Sequence, residues 1–214
     1  MPTTIKVFTF NGFQENTIVV SEGNSAVIFD PGCSNRQEEN ALAQYLIENH
    51  LTLEAVWLTH AHLDHVFGLD HVVRTYQVPV YLHEDDIVTL KHGPAAAQLY
   101  GIPGFIPPPE PTDILKGGET MKIGEASFKV LFTPGHAPGH VVYYNKEEGY
   151  AINGDVLFAG SFGRYDLPGG NLEALKHSII DTMFNLPEDT VVLCGHGPET
   201  TIGREKHTNP ILMY

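Results

Sequence analysis

The chain has 214 residues, with 12 lysines and arginines against 26 aspartates and glutamates, a formal net charge of −14. That length readily buries a core, and so acidic a balance repels phosphate backbones and leaves no basic stripe for nucleic acid. The first ten residues lack an apolar leader, no apolar run approaches the roughly 20 residues a bilayer span needs, and Cys33 and Cys194 lie outside any C-x-x-C pattern, so a cytoplasmic protein without a disulfide framework or membrane contact is expected.

Short strands are predicted over residues 5–9, 17–21 and 26–29, separated by turns at Asn11-Gly12 and Glu22-Gly23-Asn24 and closed by Asp30-Pro31-Gly32. A helix follows over 37–49, where Ala41, Leu42, Tyr45 and Leu46 recur at helical spacing. Ala55-Val56-Trp57-Leu58 reads as a buried strand, 66–76 as helix-like and 78–82 as another strand. The proline-rich stretch 93–112 is expected to form a long irregular excursion, a mobile flap. A second meander is predicted over 128–132, 141–144 and 150–152, then a helix over 172–184 and a last strand over 191–193. No internal repeat or domain boundary interrupts the pattern. Two mixed sheets packed face to face with helices outside bury both apolar faces. The expected fold is therefore α+β, a four-layer αββα sandwich, with residues 1–214 as one domain.

The most informative segment is Thr59-His60-Ala61-His62-Leu63-Asp64-His65, directly after the buried strand. On an extended chain alternate residues point the same way, so His60 and His62 can grip one cation together. Asp64 and His65 fall where the chain turns towards a helix and can point elsewhere, which suggests two metals rather than one. Surface histidines in a loop are the plain alternative, and this spacing makes them a poor one. Three later segments share one grammar, an apolar strand, then glycine, then a ligand-type residue: Gly135-His136, Gly154-Asp155 and Gly195-His196. Glycine there permits a sharp turn and close approach. Imidazole and carboxylate suit zinc, iron or manganese, and the lack of thiolate argues against a structural zinc site.

With these motifs the chain resembles the metallo-β-lactamase-fold superfamily, and within it the glyoxalase II-like hydrolases. The resemblance runs from the opening strands through Asp30-Pro31-Gly32 to Gly195-His196. The segment Gly160-Ser161-Phe162-Gly163-Arg164-Tyr165-Asp166-Leu167-Pro168-Gly169-Gly170 is similar to the short, single-domain bacterial branch. It implies that His60, His62 and His136 hold a first metal, that Asp64, His65 and His196 hold a second, and that Asp155 bridges both. Two divalent ions are implied, zinc first and iron or manganese next, with Asp64 and Asp155 serving catalysis around a metal-bridging hydroxide. The implied substrate is a small acyl-thiol, whose thiol of pKa roughly 8.5 departs as thiolate with little help from an acid. Full-length relatives append a helical domain that binds glutathione. Only residues 197–214 follow His196 here, so no such domain and little recognition of glutathione are expected.

His140 repeats the Pro-Gly-His pattern of His136. With the ligand set already full, it is expected to hydrogen-bond a ligand rather than a metal. Arg164 is the candidate for a substrate carboxylate, with a surface ion pair as its plain alternative, and Cys194 is expected to be a buried inert thiol. His50, His71, His83, His92, His177 and His207 carry no functional expectation. The main competing function is a mononuclear iron persulfide dioxygenase on the same fold. It shares the Gly-Arg-x-Asp pattern of Gly163-Arg164-Tyr165-Asp166, but Leu167-Pro168 replaces its usual Phe-Gln. A lactamase would want an export signal and does not usually carry a ligand like Asp155, and a nuclease would want a basic surface. A catalytically silent metal-binding module completes the alternatives.

Overall fold

The computed structural model describes residues 1–214. β1 (Thr4–Phe10), β2 (Glu15–Glu22) and β3 (Ser25–Phe29) form an antiparallel meander. α1 (Arg36–Glu48), capped by the Asn35 side chain, then leads to β4 (Thr52–Trp57), parallel to β3. α2 (Leu69–Tyr76) leads to β5 (Val80–His83), and α3 (Ile87–Leu99) precedes β6 (Asp113–Leu115), both strands continuing in parallel. These six strands make one sheet, in the order β1-β2-β3-β4-β5-β6.

The second sheet begins with an antiparallel run of β7 (Thr120–Ile123), β8 (Ala126–Phe132), β9 (Val141–Asn145) and β10 (Tyr150–Gly154). A small hairpin follows, β11 (Leu157–Phe158) with β12 (Ser161–Phe162), then α4 (Leu172–His177). β13 (Val191–Cys194) joins β10 in parallel, β14 (Thr200–Thr201) closes that edge, and α5 (Ile202–Thr208) ends the helices. The sheet order is β14-β13-β10-β9-β8-β7.

Side-chain alternation along the central strands separates three apolar layers. On β2 and β3, Ile18, Val20, Val27 and Phe29 face the second sheet, where they meet Phe128, Val130, Tyr143 and Ile152. Their neighbours Val19 and Ile28 face outward onto Leu42 and Leu46 of α1 and Leu69 and Val72 of α2. On the far side, Val142, Ala151, Val192 and Cys194 pack against Leu175, Ile179, Met183 and Ile202. The order is therefore helix, sheet, sheet, helix, as the sequence predicts. Trp57 stacks on Tyr143 with ring centroids 5.5 Å apart in the middle layer. The Tyr143 hydroxyl crosses the sandwich to donate to Leu58 O at 2.8 Å, just before the histidine-rich segment.

Three expectations need correction. Residues 93–112 are not irregular throughout, because 93–99 complete α3 with Pro94 inside it. Ile87, Val88 and Leu90 before the proline and the run Ala95-Ala96-Ala97 after it supply the helix. The predicted 66–76 helix is instead a 3-10 turn at Leu63–His65 followed, after a break, by α2. The predicted 172–184 helix changes hydrogen-bond pattern after His177, becoming a π turn at Ser178–Thr182 and a 3-10 turn at Met183–Asn185. No helix is long and apolar enough to cross a membrane.

Candidate metal centre

The loops leaving β4, β8, β10 and β13 open on the same edge of the sandwich, and each delivers part of one cluster. After β4, His60 and His62 project together, and the 3-10 turn then swings Asp64 and His65 to a different side. The ligand-type atoms of His60, His62 and His136 all lie within 4.8 Å of one another, as do those of Asp64, His65 and His196. Asp155 stands between the triads. Its Oδ2 is 3.5 Å from His136 Nε2 and 3.4 Å from His196 Nε2, and its Oδ1 is 3.5 Å from His65 Nε2. Asp64 Oδ2 lies 3.1 Å from His196 Nε2. All seven residues singled out in the sequence as ligands therefore converge.

Outer hydrogen bonds fix which nitrogen of each ring faces inward. The Thr59 hydroxyl donates to Asp30 Oδ2 at 2.6 Å, so its oxygen is left to accept from His60 Nδ1 at 3.0 Å. The same Asp30 oxygen accepts from His65 Nδ1 at 3.1 Å. His136 Nδ1 donates to Arg164 O at 2.7 Å and His196 Nδ1 to Phe13 O at 3.1 Å. In each case Nε2 is turned towards the centre. His62 differs, presenting Nδ1 to His136 Nε2 at 2.8 Å.

Of the eight buried side-chain atoms without a hydrogen-bond partner, three belong to the cluster: His60 Nε2, His65 Nε2 and Asp155 Oδ1. Interiors seldom leave such atoms bare. Cations held by nitrogen and carboxylate donors would account for these three, and the donor set suits zinc, iron or manganese.

Charge divides the cluster. Burial, with the neighbouring imidazoles behind it, holds His60 far below the ordinary histidine range and His62 at about 3. Burial opposes protonation at His196 too, but Asp155 and Asp64 overcome it and raise that ring to about 10. The same two carboxylates outweigh burial at His65 and raise it as well. The imidazoles of the first triad are thus favoured in the neutral form, and those of the second in the protonated form.

Close approach explains the glycines. Gly154 adopts φ +52°, and a Cβ there would press on the Thr59 hydroxyl and the His140 ring. A Cβ on Gly195 would collide with the Asp155 carboxylate and the His65 ring. His140 uses both nitrogens away from the cluster, Nε2 accepting the Asp155 backbone N–H at 3.1 Å and Nδ1 facing Thr133 Oγ1 at 3.3 Å. Arg164 lines the cleft, but its guanidinium is bound to both oxygens of Asp166 at 2.8 and 3.0 Å. Cys194 is buried, and burial pushes its thiol up to about 12.

Sequence reasoning missed four supporting residues. Asp30, in the left-handed region at φ +48°, anchors Thr59 and His65. Asp86 accepts from Ala61 N, Thr89 Oγ1 and Gly139 N. The Asn11 side chain donates to Gly32 O and Asp64 O, and that of Asn16 to Cys194 O and Gly197 O. Asp30, Asp86 and Asn16 are buried and Asn11 is half-buried, and that burial is visible only in three dimensions.

A cleft of about 660 Å³ opens above the cluster, walled by α3 on one side and by the β11–β12 hairpin and residues 164–168 on the other. A separate pocket of about 360 Å³ lies beside it, behind Phe13.

The metallo-beta-lactamase superfamily model matches residues 10–196. The hydroxyacylglutathione hydrolase GloC of Haemophilus influenzae is 35% identical over 213 residues, 97% of each chain. Among solved structures, BLEG-1 B3 metallo-beta-lactamase superposes with a TM-score of 0.89 at 40% identity, over 99% of this chain and 100% of that one. TTHA1623 in a di-iron-bound form gives 0.86 at 40% identity, over 96% and 98%.

Proposed function

The chain belongs to the metallo-beta-lactamase superfamily, and we propose that within it the protein is a binuclear metal-dependent hydrolase of small acyl-thiols. The observation that carries this reading is the Asp155 carboxylate, set within 3.5 Å of donors from both triads. His60, His62 and His136 would hold one divalent ion and Asp64, His65 and His196 the other, with Asp155 shared. Zinc is the first candidate, and iron gains support from the di-iron form of TTHA1623. When bound, such ions supply a polarised carbonyl and a water of lowered pKa.

The chain's own residues supply orientation. Asp30 and Thr59 lock the His60 and His65 rings, His140 pins the backbone of Asp155, and two carbonyls aim His136 and His196. Asp64 stays ionised, since His65 and His196 outweigh its burial. Its carboxylate can therefore accept a proton-bearing water beside the substrate carbonyl. A thiolate leaves unaided, so the scarcity of a separate general acid is no handicap. The two buried, unpaired thiols accord with a cytoplasmic setting. GloC, a named hydroxyacylglutathione hydrolase, supports the thioester assignment.

Lactam hydrolysis is the second reading, favoured by the likeness to BLEG-1. It asks for protonation of an amine leaving group, a demand the thioester avoids. One experiment separates the readings: metal content per chain, measured beside turnover of S-lactoylglutathione, a short acyl-thiol, a β-lactam and glutathione persulfide, with oxygen uptake monitored. Two ions and thioester cleavage are expected. One iron with oxygen consumption would make the protein a persulfide dioxygenase, and lactam turnover alone would make it a lactamase.

A further inference from the structure

The cleft above the cluster is apolar in a way the metal centre does not require. Ala96 and Leu99 of α3, with Tyr100 just after it, face Phe158, Phe162 and Leu167 across the opening. Leu99 is 81% exposed and Tyr100 46%, so neither side chain serves the core. An apolar rim left in water beside a reactive centre is stabilised when a ligand covers it.

Charge points the same way. Apart from the proposed metal ligands, the titratable side chains lining the cleft are His92, Tyr100 and Arg164, and Asp166 already takes the Arg164 guanidinium through two hydrogen bonds. A glutathione thioester brings two carboxylates into a cleft whose one guanidinium is already paired, on a chain of net charge −14. A hydrocarbon arm meets no such conflict.

Resting on the thioesterase reading above, we infer that the preferred substrates are thioesters carrying an apolar hydrocarbon arm, and that Leu99 and Tyr100 set this preference. The arm could belong to the acyl group or to the thiol, and two substrate series tell these apart.

The test uses the metal-loaded protein. The first series is the acetyl, butanoyl and hexanoyl esters of N-acetylcysteamine, and the second the acetyl esters of ethanethiol, butanethiol and hexanethiol, with S-lactoylglutathione as the charged comparator. Each buried methylene can contribute up to about fourfold. We expect kcat/KM to rise at least tenfold from two to six carbons in one series, mainly through KM, with S-lactoylglutathione at least tenfold below the best ester. A readout independent of turnover is calorimetric binding of ketone analogues, in which CH2 replaces the sulfur, and their Kd should fall along the same series. Leu99→Asp should cut the six-to-two-carbon ratio at least fivefold in both measurements, with circular dichroism reporting an intact fold.

Flat series, or S-lactoylglutathione ahead of every ester, would overturn the apolar preference and leave the hydrolase standing. Absence of all thioester hydrolysis with chain-length-dependent analogue binding would overturn the hydrolase and keep the apolar subsite. Absence of both would remove the two together.

Discussion

Asp86 Oδ2 accepts the backbone N–H of Ala61 at 2.5 Å, so a buried carboxylate grips the residue between His60 and His62. Its other oxygen accepts from Thr89 Oγ1 at 2.8 Å and Gly139 N at 3.3 Å. One side chain therefore ties the first histidine pair to α3 and to the loop that carries His136 and His140. Asp86→Ala should strand three donors and cost about 2–4 kcal/mol. Urea unfolding measures this, and a loss below half a kcal/mol would show that the carboxylate is dispensable.

The same residue gives a pH signature. Burial, only partly offset by its three donors, raises the Asp86 carboxyl to about 6. Its folded pKa lies above the unfolded value of roughly 3.9, so the charged form is the costly one. The stability it contributes is full below about pH 4 and is lost as pH rises through about 6, by up to roughly 3 kcal/mol. Subtracting the metal-free Asp86→Asn stability profile from that of the wild type should expose this fall. A difference that is flat over the same window would contradict it.

The triads should fail separately. His62→Ala should lose chiefly one ion and His196→Ala chiefly the other, while Asp155→Ala should lower the content of both and abolish hydrolysis. Elemental analysis per chain decides the point, and two fully retained ions in the Asp155 variant would end the bridging assignment.

Metal uptake should release protons. Without metal, Asp155 and Asp64 overcome burial and hold His196 up at about 10 and His65 above its ordinary range. The His196 ring is therefore protonated at pH 7, and the same carboxylates favour the protonated form of His65, so an arriving cation displaces protons. About one to two protons per chain should appear on zinc addition in weak buffer, and apparent affinity should fall as pH is lowered. Proton-neutral uptake at pH 7 would show that these rings are already neutral before the metal arrives.

Gly195→Ala places a methyl group against the Asp155 carboxylate and the His65 ring. Most of the bound metal should be lost while far-UV circular dichroism stays unchanged. Gly12→Ala, with nothing within 4 Å, is the matched control.

Layer order and the candidate ligands were legible in the sequence from local signals: short apolar runs bounded by turns at β2 and β3, His-x-His on an extended segment, and glycine ahead of His136, Asp155 and His196. The parts that were missed depend on packing. α3 was hidden by Pro94, whose cost to a helix other contacts absorb. Strands as short as Thr200–Thr201 carry no period to read. Asp30 and Asp86 look like ordinary turn residues until burial shows that their oxygens hold up the cluster. Arg164 was legible as a cation near the cleft, and the surface ion pair weighed as its alternative is the one it makes with Asp166.

Each triad borrows from both sheets. His60 and His62 leave β4 and meet His136 from beyond β8, while Asp64 and His65 meet His196 from beyond β13. Neither half of the chain can assemble a complete triad alone, so the site has a birth order: the sheets must close before it exists. Cations supplied to the refolding chain should leave the rate of first collapse untouched. They should act afterwards as rivets across the seam, slowing the parting of the sheets and lengthening the lifetime of the folded state.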